Sequence, residues 1–377
     1  MSKPFDVCIR GDGIVGRTLA LLLARERLRV ALVTRPPKEP AAQAPADGHT
    51  DVRAYALNSA SRQVLETLRV WPEAPFATPV LEMQVWGDDG GKLDFSARSV
   101  DQDALAWIVD VPALEQQLIQ AVRFQPHIEI VQAPEQAALN VICEGQKSSS
   151  RDEFGPKGSV NWTVKPYAQK AIAARLESDK PHGGVARQWF SHGDILALLP
   201  LSGADGNSVA LVWSVSTERA GVLEKLPPQA FCAALQAVCG QEAGVLRLSS
   251  ERASWPLALS NADHWVGPGW ALAGDAAHTV HPLAGQGLNL GLADTVCLAK
   301  VLAAREYWRG LGDEKLLRRY ERARKADVAT MDAVTDGLHG LFAQTDGRWQ
   351  ALRNWGMKGF ARSTLLKNWV ARQAAGL

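Results

Sequence analysis

The sequence predicts an α/β protein with a parallel-sheet domain, a β-rich second domain interleaved with it, and a C-terminal helical segment. Three observations support this fold class. A strand, a glycine-rich turn, a helix and a second strand follow one another at the N-terminus. The middle of the chain contains strand patterns such as SVALVWSVS. A further strand–loop–helix pattern lies near residues 270–302.

The composition narrows the class of protein. The 377 residues exceed one average domain, and the 46% apolar and 21% charged residues are ordinary for a globular protein. A net charge of +1 gives no reason to expect nucleic acid as a partner. The five cysteines form no CxxC pair, which favours a reducing compartment and hence the cytoplasm. No secretory signal is visible, and no apolar run reaches the length of about 20 residues that spans a bilayer.

The N-terminal unit has the pattern of a dinucleotide-binding fold. FDVCIR alternates as a first strand, and VALV at 30–33 forms a second. Between them, Gly11, Gly13 and Gly16 form a GxGxxG turn that opens a helix. Glycine allows a tight turn and the close approach of a pyrophosphate, and the helix start offers N–H groups to it. The pattern predicts a Rossmann-like unit with a bound dinucleotide; a glycine-rich turn without a ligand is the alternative.

The end of the second strand leaves two cofactors open. A carboxylate at this position would bind the adenosine ribose. The sequence has Thr34 followed by Arg35 instead, which resembles a site for a 2′-phosphate and favours NADP. Asp12 also places a negative charge inside the glycine turn. The N-terminal motif alone therefore does not separate FAD from NADP.

A second glycine-rich stretch, GDAAHTVHPLAGQGLNLGLAD, occupies residues 274–294 between a short apolar strand and a helix. Zinc would need more ligands than His278 and His281, so no metal site is predicted. The sequence has no GxSxG nucleophile elbow and no glycine loop followed by Lys-Ser or Lys-Thr. These absences argue against a serine hydrolase and a Walker-type phosphate site.

The remaining features of this stretch suit a flavin. Asp275, at a strand end, can accept hydrogen bonds from a polyol chain. The turn formed by Gly285, Gln286 and Gly287 leads into a helix whose N–H groups can stabilise negative charge on a ring. A ribityl chain joined to a flavin that becomes anionic on reduction requires both a carboxylate that accepts from its hydroxyls and N–H donors near its ring.

This stretch and DVRAYALNSASRQVLETLRVW at 51–71 resemble the flavin-dependent aromatic hydroxylases of ubiquinone biosynthesis. These enzymes belong to the para-hydroxybenzoate hydroxylase-like, single-component monooxygenases. The resemblance runs from the N-terminal fingerprint to about residue 330. It implies bound FAD and hydroxylation of a polyprenylated phenol through a C4a-hydroperoxyflavin. Because no second GxGxxG lies in strand–helix context, NAD(P)H is expected to reduce the flavin as a transient visitor.

The resemblance also implies roles for particular residues. The fingerprint glycines would hold the FAD pyrophosphate, Arg53 would lie on the FAD side of the pocket, and Asp275 would bind the ribityl chain. Pro282 would lie against the isoalloxazine ring. His278, His281 or a tyrosine could assist deprotonation of the phenol, but structural histidines are favoured and no catalytic base is assigned. The full cofactor-binding set is Gly11, Gly13, Gly16, Thr34, Arg35, Arg53, Gly274, Asp275, Pro282, Gly285, Gln286, Gly287 and Asn289.

Some positions depart from the family pattern. Thr34 stands where the family has a carboxylate, and Cys143-Glu144-Gly145 stands where it has Ala-Asp-Gly. The stretch at 114–143 is short, so the hairpin usual before this motif is expected to be trimmed. Two further functions therefore stay open: hydroxylation of a small soluble aromatic, and a structural subunit of a quinone-synthesis assembly.

The cofactor and substrate domains are predicted to be discontinuous in sequence. Residues 1–75, 101–158 and 256–345 are assigned to FAD binding, and 76–100 and 159–255 to the substrate domain.

The C-terminal segment, residues 346–377, is predicted to be a basic amphipathic helix. Its last thirty residues contain six Lys or Arg, no acidic residue and interspersed tryptophans. Such a helix can lie on an anionic membrane surface at the inner face of the membrane, where a polyprenyl phenol and other quinone-biosynthesis proteins would meet the enzyme. A helix packed on the FAD domain is the alternative.

Overall fold

The computed structural model describes residues 4–34, 51–87, 91–146, 148, 150, 153, 162–203, 205–279 and 287–343. Its strands are β1 (Phe5–Arg10), β2 (Val30–Val33), β3 (Ala54–Leu57), β4 (Ala77–Val80), β5 (Glu82–Trp86), β6 (Lys92–Ser96), β7 (Ala106–Asp110), β8 (Ile128–Val131), β9 (Ala137–Ile142), β10 (Trp162–Ser178), β11 (Val185–Ser191), β12 (Asp194–Pro200), β13 (Ser208–Ser216), β14 (Leu246–Leu248), β15 (Ala253–Ala262), β16 (Val266–Gly267), β17 (Trp270–Leu272) and β18 (His278–Thr279). Its α-helices are α1 (Ile14–Arg25), α2 (Ser59–Thr67), α3 (Val111–Arg123), α4 (Thr217–Leu223), α5 (Pro228–Cys239), α6 (Gly287–Ala303) and α7 (Glu314–Ala343).

A six-stranded sheet with a parallel centre forms the base of the candidate site. Its order is β16–β17–β9–β1–β2–β8, and β1 pairs in parallel with both β2 and β9. Val7, Cys8 and Ile9 are fully buried, as expected for a central strand covered on both faces. The carboxyl ends of the parallel strands share one edge, where the glycine turn begins. The predicted Rossmann-like α/β fold is confirmed.

Helices cover this sheet and bury its apolar side chains. α1 packs against α3 and α6, and α6 packs against α7. Leu19 and Leu23 of α1 are fully buried, and so are Leu298 and Leu302 of α6. The helical spacing of these leucines places them on one face of each helix, and that face packs into the core.

A second, nine-stranded sheet follows the order β18–β15–β10–β13–β12–β11–β5–β6, with β14 also paired to β10. One face packs against α4 and α5 through a core that includes Trp213, Leu196 and Phe231. On the opposite face, Ala186 and Ala210 share a buried apolar cluster with Ile108 of β7. A small antiparallel sheet, β3–β7–β4, therefore lies between the large sheet and the helix-covered parallel sheet.

The sequence around α2 suggests Ser59 or Ser61 as the residue that caps this helix. The structure corrects that expectation, because the N-cap is Asn58. Its side chain accepts a hydrogen bond from the backbone N–H of Ser61 at 2.9 Å, which is the third helical residue and the usual donor to a cap. The Ser61 hydroxyl instead donates to Asn289 on α6 at 2.7 Å.

One predicted domain limit falls inside a strand, and one predicted substrate-domain segment contains a strand of the small sheet. The limit at 256 falls inside β15, which belongs to the large sheet throughout. Within 76–100, β4 pairs with β7 of the small sheet and not with the large sheet. The division into two domains stays a prediction. The short connection at 132–136 carries no strand between β8 and β9, in agreement with the expected loss of a hairpin.

The predicted C-terminal helix, 346–377, lies outside the described residues. Among the helices the structure describes, none is both long and apolar enough to cross a membrane.

Candidate active site

Two of the three fingerprint glycines are required by packing, and the third faces open space. Gly11 has φ +108°, and a Cβ there would lie 2.5 Å from the carbonyl oxygen of Cys143. A Cβ on Gly16 would lie 1.9 Å from the Gly11 carbonyl oxygen. A Cβ on Gly13 would meet nothing within 4 Å. This is the arrangement expected when a ligand, and not the protein, approaches the backbone at Gly13.

The electrostatics of the turn suit an anion. Gly13 is the N-cap of α1 and gives the helix no side-chain cap, so the first turn keeps N–H groups for another acceptor. The negative charge of Asp12, which opposed this role in the sequence, is paired with Arg17 at 3.1 Å. Arg17 lies one turn into the same helix. The pair reduces the repulsion that Asp12 would exert on a phosphate.

At the end of β2, Thr34 is tied to the neighbouring strand. Its N–H donates to the carbonyl of Val131 at 3.0 Å, and its hydroxyl accepts from Gln132 at 3.3 Å. The residue therefore offers a neutral hydroxyl where a carboxylate was expected. Arg35 lies outside the described residues, and contact of either residue with the cofactor stays a prediction.

The two glycine motifs, far apart in sequence, meet at Val15. A Cβ on Gly274 would lie 3.2 Å from Val15, and a Cβ on Gly291 would lie 2.9 Å from it. Gly274 also has φ +65°, a conformation that favours glycine. The close approach places the segment 274–278, called the GD segment here, beside the start of α1.

Asp275 is the exposed carboxylate of the GD segment. Its side chain is open to solvent, while the residues on both sides, Gly274 and Ala276, are buried. Protein surrounds the carboxyl closely enough that desolvation raises its pKa, and His278 opposes this change. A carboxylate that is partly desolvated but reachable can accept hydrogen bonds from hydroxyl groups of a ligand.

The segment before α2 contributes a second charged group. Arg53 binds Asp51 through its guanidinium at 2.5 Å and lies 3.6 Å from Glu115 of α3. The hydrogen bond to Asp51 is the largest influence on Arg53 and raises its pKa, so the group stays charged. Burial raises the pKa of the Tyr55 phenol, with Arg53 lowering it and Asp275 raising it further. Tyr55 therefore lies within electrostatic reach of both Arg53 and Asp275.

This charged segment is tied to the large sheet. Arg175 of β10 donates to the backbone carbonyl of Asp51 at 3.0 Å and pairs with Asp110 at 2.5 Å. Asp110 is also the N-cap of α3. The position of Arg53 thus depends on the large sheet as well as on the parallel sheet.

Asn289 connects α6 to the same region. Its side-chain oxygen accepts from the Asn58 N–H at 3.0 Å, and its amide nitrogen donates to the Ala56 carbonyl at 2.8 Å. The side chain therefore positions β3 and α2 against α6, and its predicted contact with the cofactor stays untested. Gly287 begins α6 with no atom within 4 Å of a Cβ built there. His281, Pro282, Gly285 and Gln286 lie outside the described residues.

His278 has a structural environment in agreement with the favoured expectation. It is buried, donates or accepts at Nε2 with Asp294 at 2.7 Å, and stacks on Trp265 with ring centroids 4.8 Å apart.

Glu144, which stands where the family has the aspartate of Ala-Asp-Gly, binds two serines of the loop that follows it. Its carboxylate accepts from the hydroxyl of Ser148 at 2.7 Å and from the N–H and hydroxyl of Ser150.

Sequence reasoning missed several residues of this region. Tyr55 could have been found as the residue two positions after Arg53 at the start of a strand. Asp294 ends the quoted motif, and two of its partners lie in that motif, but the third comes from α7. Nothing in the sequence pairs it with Arg324, and nothing places Arg175 beside Asp51.

Comparisons with known proteins agree with this geometry. A family model described as an FAD binding domain matches residues 133–334. The 3-demethoxyubiquinol 3-hydroxylase of Escherichia coli is 30% identical over 402 residues, with 100% of both chains covered. The ubiquinone hydroxylase UbiL of Rhodospirillum rubrum is also 30% identical, and the match covers 99% of this chain and 90% of the relative.

Solved structures share the fold. PqsL, a probable FAD-dependent monooxygenase from Pseudomonas aeruginosa, matches with a TM-score of 0.75 at 22% identity, over 94% of this chain and 99% of its own. The p-nitrophenol 4-monooxygenase PnpA from Pseudomonas putida matches with a TM-score of 0.75 at 17% identity, over 99% and 98% of the two chains.

The fingerprint glycines should respond differently to alanine. Gly16→Ala places a methyl group against the Gly11 carbonyl and should lower the free energy of unfolding by about 1–3 kcal/mol. Gly13→Ala meets open space and should change stability by at most about 0.5 kcal/mol while weakening FAD binding about tenfold. Thermal unfolding and FAD titration of the apo-protein measure both. Equal stability losses in the two variants would contradict the difference in packing between Gly13 and Gly16.

Asp275→Ala should leave the protein folded and remove most of the bound FAD, because it deletes the reachable carboxylate of the GD segment. The measurement is the flavin absorbance that remains with the protein after gel filtration. Asp205→Ala, in an exposed turn of the large sheet, is the control and should keep its flavin. Unchanged flavin content in the Asp275 variant would remove this residue from the site.

Proposed function

The chain belongs to the FAD-dependent aromatic hydroxylases of ubiquinone biosynthesis, and we propose that its substrate is a polyprenylated phenol of that pathway. It is a flavin monooxygenase that uses O₂, with NAD(P)H as the typical reductant of the family. The observation that carries the proposal is the match of the whole chain, at 30% identity, to a 3-demethoxyubiquinol 3-hydroxylase. The geometry of the glycine turn and of the GD segment supports the FAD site of such an enzyme.

Bound FAD supplies the oxygen-transfer chemistry, and the chain supplies binding and orientation. We assign the pyrophosphate to the N–H groups at the start of α1, beside Gly13. We assign the ribityl chain to Asp275, which is the reachable carboxylate next to α1. Arg53 is the nearby fixed positive charge, and its bond to Asp51 holds it in one orientation.

We place the substrate ring against the face of the large sheet that lies opposite α4 and α5. Ala173, Val212 and Ala197 are directly paired across β10, β13 and β12, so their side chains share this face. Small side chains leave room for a flat ring. Arg175 lies two residues from Ala173 on the same face and contacts the Asp51 segment, which brings this surface next to Arg53.

The face of the large sheet proposed to bind the ring also meets the proposed FAD site at β18. Asn261 of β15 pairs with His278, so the large sheet continues directly into the GD segment. A ring bound on this face would lie between the two segments assigned to FAD. This arrangement supports hydroxylation within a site enclosed by both sheets.

Purified or membrane-reconstituted protein should transfer one oxygen atom from ¹⁸O₂ to a prenylated phenol, and the phenol should accelerate NAD(P)H oxidation. Mass spectrometry of the product measures the label, and a prenylated phenyl ether without a free hydroxyl is the control. Label in a small soluble phenol only would favour a soluble aromatic as the substrate. No label together with no bound flavin would favour a structural subunit.

We further propose that residues 346–377 bind the protein to an anionic membrane surface, where the substrate is delivered. Their six basic residues and interspersed tryptophans support this role. The full chain should sediment with anionic liposomes but not with neutral ones, and salt should weaken the binding. Deletion of 346–377 should abolish it while FAD stays bound. The proposal would be contradicted if the deletion unfolds the protein, or if the full chain does not bind anionic liposomes.

A further inference from the structure

A buried charged cluster begins at the last residue of the GD segment. It consists of His278, Asp294 and Arg324, and the ring of Trp265 stacks on the histidine. The side chain of Asp294 is 0% exposed, and those of His278 and Arg324 are 3% and 5% exposed. Removing ionisable groups from water costs free energy unless each is paired. A cluster of this kind beside a ligand site is a candidate for positioning the residues that bind the ligand.

Asp294 joins three segments of the chain. Its Oδ2 accepts from the backbone N–H of Gly274 at 2.9 Å and lies 2.7 Å from Nε2 of His278. Its Oδ1 accepts from Nε of Arg324 at 2.7 Å. Burial acts to raise the pKa of Asp294, but His278 and Arg324 outweigh it and hold that pKa below its usual range. The ionised carboxylate on α6 thus ties the GD segment and α7 together.

Two of these bonds bracket Asp275. Gly274 precedes it directly, and its N–H cannot turn away without losing the bond to Asp294. His278 follows three residues later and is held on a second side by Trp265, with an angle of 23° between the ring planes. Asp294 therefore fixes both ends of the short segment that carries the Asp275 carboxylate.

The same bond reaches the edge of the large sheet. His278 begins β18 and pairs with Asn261 of β15. The bond to Asp294 therefore also fixes the residue at which β18 joins that sheet.

We propose that Asp294 is a positioning residue for FAD, which holds Gly274 and His278 so that Asp275 presents its carboxylate to the ribityl chain. Asp294 itself does not touch the cofactor. Arg324 supplies the counter-charge that allows a carboxylate to be buried at this place. The proposal rests on the FAD site proposed at Asp275.

Asp327 offers a matched control. It also binds Arg324, at 2.5 Å, but it is largely exposed and makes no bond to the GD segment in the described structure. Asp294→Asn and Asp327→Asn each remove one carboxylate from the same guanidinium. Only the first disturbs Gly274 and His278.

The experiment measures FAD affinity of the two full-length apo-variants by quenching of flavin fluorescence, and the visible circular dichroism of the reconstituted holo-proteins. Asp294→Asn should weaken FAD binding about tenfold and change the circular dichroism of the bound flavin, as expected for the loss of a charge-assisted hydrogen bond. Asp327→Asn should stay within about twofold of the wild type and keep its spectrum.

A merely structural role has a different signature. If Asp294→Asn lowers the melting temperature but binds FAD with wild-type affinity and spectrum, the proposal is overturned. Equal weakening by both variants overturns it as well. If Asp294→Asn does not fold, His278→Phe decides, because it keeps a ring against Trp265 and removes only the bond to Asp294. A tenfold loss of affinity in that variant supports the proposal, and wild-type affinity overturns it.

Asp275→Ala separates this inference from the site on which it rests. If that variant binds FAD as the wild type does, the assignment of Asp275 is wrong and the positioning role falls with it. If Asp275→Ala weakens binding and Asp294→Asn does not, only the positioning role fails. Neither measurement requires the substrate.

Discussion

The close packing of α1 against the GD segment and α6 at Val15 is the constraint on which the candidate site depends. Side chains at Gly274 or Gly291 would collide with Val15 or crowd it, so two backbones approach only because these positions carry no Cβ. Gly11 and Gly16 produce the same effect on the other side of α1, against Cys143. Three parts of the chain thus meet at one edge of the parallel sheet, and the start of α1 stays open to a ligand.

Among the residues that the structure describes, ionisable groups around this packing are held in pairs. Arg53 is fixed by Asp51, and Asp294 is fixed by His278 and Arg324. Asp275 differs, because protein surrounds it while solvent still reaches it. A group of this kind gains most from a ligand that supplies hydroxyl donors, since such a ligand replaces water without leaving the carboxylate unpaired.

The large sheet shapes the cofactor side as well as offering a surface for the substrate. Arg175 reaches from β10 to the Asp51 segment, and β15 pairs with the strand that begins at His278. Two groups assigned to FAD are therefore held partly by the sheet proposed to bind the ring. In an enzyme whose flavin carries the chemistry, this shared support fixes the distance between the two reactants.

The sequence by itself determined the elements whose signals are local. The glycine turn, its two strands and the α/β class follow from spacing and periodicity, and the residue types of the GD segment and the helix after it indicate a flavin. Tertiary structure decided which residues from distant segments bond to one another, because local patterns carry no information on such contacts. Asn58 rather than a serine caps α2, and the hydroxyl of Ser61 instead bonds Asn289 on a helix remote in sequence. Asp294 and Arg324 meet only because α6 and α7 pack together, and a hydrogen bond between distant segments leaves no periodic trace in the chain.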